Sequence, residues 1–244
     1  MKDMLTAFET HDAEAIAQQL RAGFDPNTVV DGKLATQVLV EMYYRSDKFT
    51  SCLRLMVDAG GRIDDMLLLP VLLDDRALLE TSYAEVPSFL EHRANMACAF
   101  TSLEDVALLH VAVEYGSSNA VEWLLAKGAD VNARAGIRAD GANGHTPIFH
   151  AVNSNANRTA PILRRLLGAG ADAKIALSSL WWGQGFEWET VFFDVTPISY
   201  AQMGLLPQVH RREQDVYANI QTMLSAAGRP IPRLTNIPNR YLAS

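Results

Sequence analysis

Trp123-Leu124-Leu125-Ala126-Lys127-Gly128-Ala129-Asp130-Val131 and Arg165-Leu166-Leu167-Gly168-Ala169-Gly170-Ala171-Asp172-Ala173 are two copies of one pattern. Each has an apolar pair, two variable residues, then Gly-Ala-Asp. A glycine in that place suits the left-handed residue that ends a helix. Weaker copies run in phase: Leu20-Arg21-Ala22-Gly23, Val57-Asp58-Ala59-Gly60 and Met223-Leu224-Ser225-Ala226-Ala227-Gly228. Ser88 to Met96 is read as a further copy, with Arg93 in the glycine slot and Pro87 near the start of the helix. The helix-ending positions are 23, 60, 93, 128, 170 and 228, at intervals of 37, 33, 35, 42 and 58 residues. A period near 33 to 35, with insertions growing toward the C-terminus, accounts for them.

A second signature opens each unit. Gly144-His145-Thr146-Pro147-Ile148-Phe149-His150-Ala151 follows a glycine-rich loop, and Val195-Thr196-Pro197-Ile198-Ser199-Tyr200-Ala201 repeats it. The threonine side chain can cap the helix that follows, and proline fits its first turn. Ala107-Leu108-Leu109-His110-Val111-Ala112 is a version without proline.

These residues resemble the ankyrin repeat, whose consensus pairs Thr-Pro-Leu-His-x-Ala with a later Gly-Ala-Asp. The resemblance is specific from Ala107 to Asp172, where two successive units carry both signatures, and partial in the flanks. It implies an all-α solenoid of six stacked helix-turn-helix units over residues 1–228. A proline-containing tail, 229–244, follows. His110 is the histidine that in this family hydrogen-bonds between neighbouring repeats. Phe149 and Ser199 replace it in the next units, and His150 falls on a core-leucine slot. The third unit lacks the Thr-Pro entry, and its segment Met66 to Leu73 reads as helical and apolar.

Two stretches depart from the pattern. Asn132 to Asn143 is small, polar and glycine-rich, and reads as a flexible loop from which Arg134, Arg138 and Asp140 can reach a partner. Lys174 to Val195 holds three of the four tryptophans, with Gly183-Gln184-Gly185 as a turn between two β-prone runs. It reads as a long β-hairpin finger over 174–195. Its aromatics either pack onto neighbouring units or stand exposed as an interface anchor, and one face can do each.

A net charge of −7 and a pI near 5.3 argue against nucleic acid and anionic membranes. Met1 to Thr6 has no basic segment leading into an apolar run, so no signal peptide is expected and the cytoplasm is the expected location. Cys52 and Cys98 sit among apolar residues and read as inert thiols. No nucleophile elbow, phosphate-binding glycine loop or His-Glu-x-x-His occurs. His145 and His150, five apart, lack a ligand spacing and an acidic partner, so no metal or other cofactor is expected.

By this resemblance the chain is a non-catalytic scaffold that binds a protein through its concave face and hairpin loops. The candidate contact residues are Trp181, Trp182, Phe186, Trp188, Arg134, Arg138 and Tyr115. Two alternatives stay open. One is a small-molecule or enzymatic role with the finger as a lid over Gly144 to His150; it needs a pocket beneath Trp182 lined by His150 and Arg164. The other is weak self-association through the finger.

Overall fold

The computed structural model describes residues 2–206 and 209–231. Most of the expected tail lies outside the described residues. Among them, twelve α-helices form six successive pairs. These are α1 (Lys2–Thr10) with α2 (Ala13–Arg21), α3 (Ala35–Glu41) with α4 (Phe49–Asp58), and α5 (Leu69–Leu72) with α6 (Arg76–Glu85). Then come α7 (Leu108–Tyr115) with α8 (Ser118–Ala126), α9 (Ile148–Ala151) with α10 (Ala160–Gly168), and α11 (Pro197–Gln202) with α12 (Glu213–Ala226). First helices pack on first helices, as α5 on α7, α7 on α9 and α9 on α11. Second helices pack on second helices, as α6 on α8, α8 on α10 and α10 on α12. Two helical layers therefore share one core, because no single pair can bury its own apolar face.

The Gly-Ala-Asp pattern has a physical job at the ends of α8 and α10. Gly128 and Gly170 take φ of +90° and +93°, a conformation that costs a residue with a Cβ. The turn returns the Ala129 N–H to the Leu124 carbonyl at 3.0 Å, closing the last carbonyls of α8. The Asp130 carboxylate then accepts the Asn132 N–H at 2.9 Å, and Asp172 does the same for Lys174 at 2.8 Å. Asn132 in turn joins two units: its amide donates to the Gly170 carbonyl at 3.0 Å and its carbonyl accepts the Asp172 N–H at 2.8 Å. Asn27 repeats this against Gly60 and Arg62.

The third unit departs from its expected form. Arg93 does not end a helix. The second helix there is α6, started by Asp75, whose carboxylate accepts the Ala77 and Leu78 N–H groups. Val86 follows in extended backbone, as a residue before proline prefers, so Pro87 stops the helix rather than starting one. Arg93 instead opens strand β3 (Arg93–Met96), which pairs antiparallel with β4 (Leu103–Ala107). Two further strand pairs are present: β1 (Val29–Val30) with β2 (Lys33–Leu34), and β5 (Leu177–Trp182) with β6 (Thr190–Val195).

Candidate functional site

The links between units build one continuous edge. Ser179 O accepts the Asn143 N–H at 2.9 Å, and the Asn143 side-chain oxygen accepts the Trp181 N–H at 3.0 Å, so the 132–143 segment is bonded along β5. On the other side, Gly183 N–H donates to the Phe100 carbonyl at 3.0 Å. Thr101 bridges backbone to backbone with Trp182, and its hydroxyl lies 2.6 Å from that of Tyr200. The strand pair is thus held down along β5, as far as its turn, by both neighbours. Leu180, Trp182 and Phe192 face the core, while Phe193, 73% exposed, faces outward.

Beneath Trp182 a cavity of about 180 Å³ opens between units two, four, five and six. Each unit contributes a charged or polar group: Arg45 from the link after α3, Glu114 from α7, His150 from α9, Arg158 from the link before α10, and Arg211 just ahead of α12. The apolar walls are Phe100, Phe149, Trp182 and the ring of Tyr200.

The charges are not equally matched. Glu114 accepts a hydrogen bond from His150 Nδ1 at 2.9 Å and lies 3.6 Å from Arg45 Nε. Burial alone would raise its pKa; the His150 hydrogen bond and the positive charges around it outweigh that and hold it at about 2. Arg45 also lies 4.3 Å over the Tyr115 ring. Arg158 and Arg211, by contrast, have no carboxylate at ion-pair distance among the described residues. Arg158 donates to the Tyr115 and Glu114 carbonyls at 2.9 and 3.2 Å, and its Nε is buried without a partner. Arg211 donates to the Asn153 and Val209 carbonyls at 2.6 and 2.7 Å. Burial pushes both guanidinium pKa values down, while staying charged is normal for arginine.

Behind the cavity three imidazoles meet. His110 Nε2 donates to the His145 carbonyl at 3.2 Å, and the Nε2 atoms of His145 and His150 lie 3.1 Å apart with one proton between them. Burial lowers His110 to about 3 and His145 well below the ordinary value, so both are neutral at physiological pH. His150 does have an acidic partner, Glu114 from the previous unit, and a converging polar set exists. The acidic partner corrects the sequence reading. The two residues are 36 apart in the chain, and only stacking of α7 on α9 brings them together. Cys98 donates to Glu114 at 3.7 Å, and burial pushes its thiol up to about 12, leaving it protonated.

The contact residues expected from sequence separate into two groups. Tyr115 and Trp182 are each only 4% exposed and lie inside the fold, which corrects their assignment to a contact surface. The Tyr115 hydroxyl donates to the Val40 carbonyl at 2.7 Å and accepts from Arg45. Trp181 is half-buried, with the Arg138 guanidinium 4.7 Å over its ring. Arg138 also lies near Glu104 and Asp140. Arg134 is exposed, and its carbonyl accepts from Arg93. Phe186 and Trp188, 42% and 44% exposed, stack on each other with centroids 4.6 Å apart and planes at 16°. Arg164 is not in the cavity wall; Arg158 occupies that role.

Residues 107–135, spanning β4's last residue, α7, α8 and the turn after it, match the family model described as Ankyrin repeat. That segment is an ankyrin repeat. The chain is also similar to the ankyrin repeat domain of Bcl-3, described as a unique member of the IkappaB protein family. The two share 18% identity at a TM-score of 0.39, over 90% of this chain and 80% of that one. Its likeness to the human ASB11 ankyrin repeat domain covers 93% of this chain and 98% of that one, at 15% identity and a TM-score of 0.41. No curated protein matches it. Ankyrin repeat domains mediate protein–protein interaction. No helix among the described residues is long and apolar enough to cross a membrane.

Proposed function

We propose that this ankyrin-repeat chain is a non-catalytic scaffold, a single domain over 1–228, that holds a protein partner on its concave face and its hairpin loops. The Phe186–Trp188 stack carries this reading. Two large aromatic rings at a loop tip, rigid against each other and open to solvent, supply contact area at little entropic cost. Phe193 extends the apolar surface along β6, and Arg138 adds positive charge over Trp181 of the neighbouring β5 on an otherwise acidic chain. Two unpaired, buried-type cysteines suit a reducing compartment, the cytoplasm.

The test compares partners captured by the wild type with those captured by a Phe186→Ala, Trp188→Ala double variant. Loss of a partner with an unchanged melting temperature is the expected result. Full retention of every partner would move the contact face away from the loop tip. A second reading, a small-molecule role with the Trp-rich hairpin as a lid, is favoured by one observation: the cavity beneath Trp182 with His150 in its wall.

A further inference from the structure

We propose that the cavity beneath Trp182 binds a carboxylate carried on a short apolar or aromatic body. This rests on the second reading above, that the cavity is a binding site, and is independent of what the Phe186–Trp188 tip contacts.

Charge supports it first. Glu114 is already matched by Arg45 and His150. Among the described residues Arg158 and Arg211 are left with backbone carbonyls alone, so the cavity wall is positive inside a chain of net charge −7. A buried guanidinium gains most from a charge-assisted pair with an anion, and its planar fork suits a carboxylate. The unpartnered Nε of Arg158 is a donor still to be satisfied. The lowered pKa of both arginines has the same origin, desolvation without full compensation.

Shape and polarity narrow the ligand. Phe100, Phe149, Trp182 and Tyr200 line the same space as the arginines, so part of the occupant is apolar. The volume, about 180 Å³, lies below the roughly 300–1,000 Å³ of sites for drug-sized ligands. A group of side-chain size is accommodated and a folded segment is not. A single negative charge is favoured over a dianion, because the Glu114 carboxylate stands in the same wall. Such a carboxylate is supplied either by a free small acid or by the C-terminus of a polypeptide.

Calorimetric titration of the full chain with 3-phenylpropionate, 3-phenylpropionamide and inorganic phosphate tests this. The acid is expected to bind with a Kd of about 1 mM or tighter, and the amide at least about tenfold more weakly. Arg158→Gln and Arg211→Gln are each expected to lose about tenfold for the acid, and Arg211→Lys to lose less. Should a variant fail to fold, the rise in wild-type melting temperature with acid but not amide reads the same discrimination. A short peptide ending in phenylalanine, with a free or an amidated C-terminus, separates the sources. Displacement of the acid by the free-ended peptide alone assigns a polypeptide terminus. Failure of that peptide where the acid binds assigns a free small molecule. Equal binding of acid and amide, tighter binding of phosphate, or unaltered acid binding in both glutamine variants would overturn the carboxylate assignment. Absence of binding by every probe would overturn the binding-site reading itself.

Discussion

Single residues set two measurable properties. His110 takes up a proton near pH 6.5 when unfolded but only near about 3 when folded, and His145 is shifted in the same direction. Below pH 6.5 the unfolded chain therefore binds more protons, so stability is full above that pH and drains as pH falls. Each imidazole contributes up to about 1.4 kcal/mol per pH unit. Calorimetry is expected to show a melting temperature roughly 10 °C lower at about pH 5 than at about pH 7. Glu114 adds its loss only below about 4.5, so an unchanged melting temperature over that range would mean that the imidazoles are not buried neutral. Two of the three tryptophans of the hairpin, Trp182 and Trp188, divide equally clearly. Trp182→Ala is expected to cost about 3–5 kcal/mol, as for a core aromatic, while Trp188→Ala is expected to stay within about 1 kcal/mol. Urea unfolding of both variants measures the contrast, and equal losses would contradict the burial of one and the exposure of the other.

At the scale of elements, the β5–β6 pair depends on its neighbours more than on its own turn. A two-stranded sheet alone is marginal in water. Asn143 holds this one through two bonds, one from its backbone and one from its side chain, and sits at φ +67°, which asparagine tolerates. Asn143→Ala is expected to lower amide-exchange protection across 177–195 while protection in α7 and α8 is kept. Loss of protection throughout the chain would show that the hairpin is integral to the core. Gly116 couples an element end to the cavity. It caps α7 at φ +71°, and a Cβ there would stand 2.5 Å from Arg158 Nη1. Gly116→Ala is expected to cost about 1–2 kcal/mol and to displace Arg158, reducing any anion binding in the cavity along with stability.

Across the whole molecule, stacking is not strictly nearest-neighbour. The end of α3 and the link after it reach past the third unit, whose first helix is the short α5, to place Val40 on Tyr115 and Arg45 on Glu114 of α7. Removing Glu114 leaves the Arg45 guanidinium buried without its anion and His150 Nδ1 without its acceptor, a loss of about 3–5 kcal/mol. Glu114→Ala is expected to split urea unfolding into two transitions, the first two units melting earlier. A single transition at lower urea would show that the third unit alone couples the halves. The repeat itself was legible in the chain because its requirements are local: a glycine at each left-handed helix end, an aspartate to take the next turn, apolar pairs one turn before. The third unit misled because Arg93 kept the spacing while Pro87 and extended Val86 ended the helix earlier. The aromatic-rich hairpin was visible by composition, but which ring faces in was not, since Trp182 is buried against Phe100 from distant sequence as well as Phe192 across the hairpin. The cavity belongs wholly to the tertiary structure. Its charges come one or two from each of four units, at sequence separations no local pattern records, and each acquires its state from neighbours that only stacking delivers.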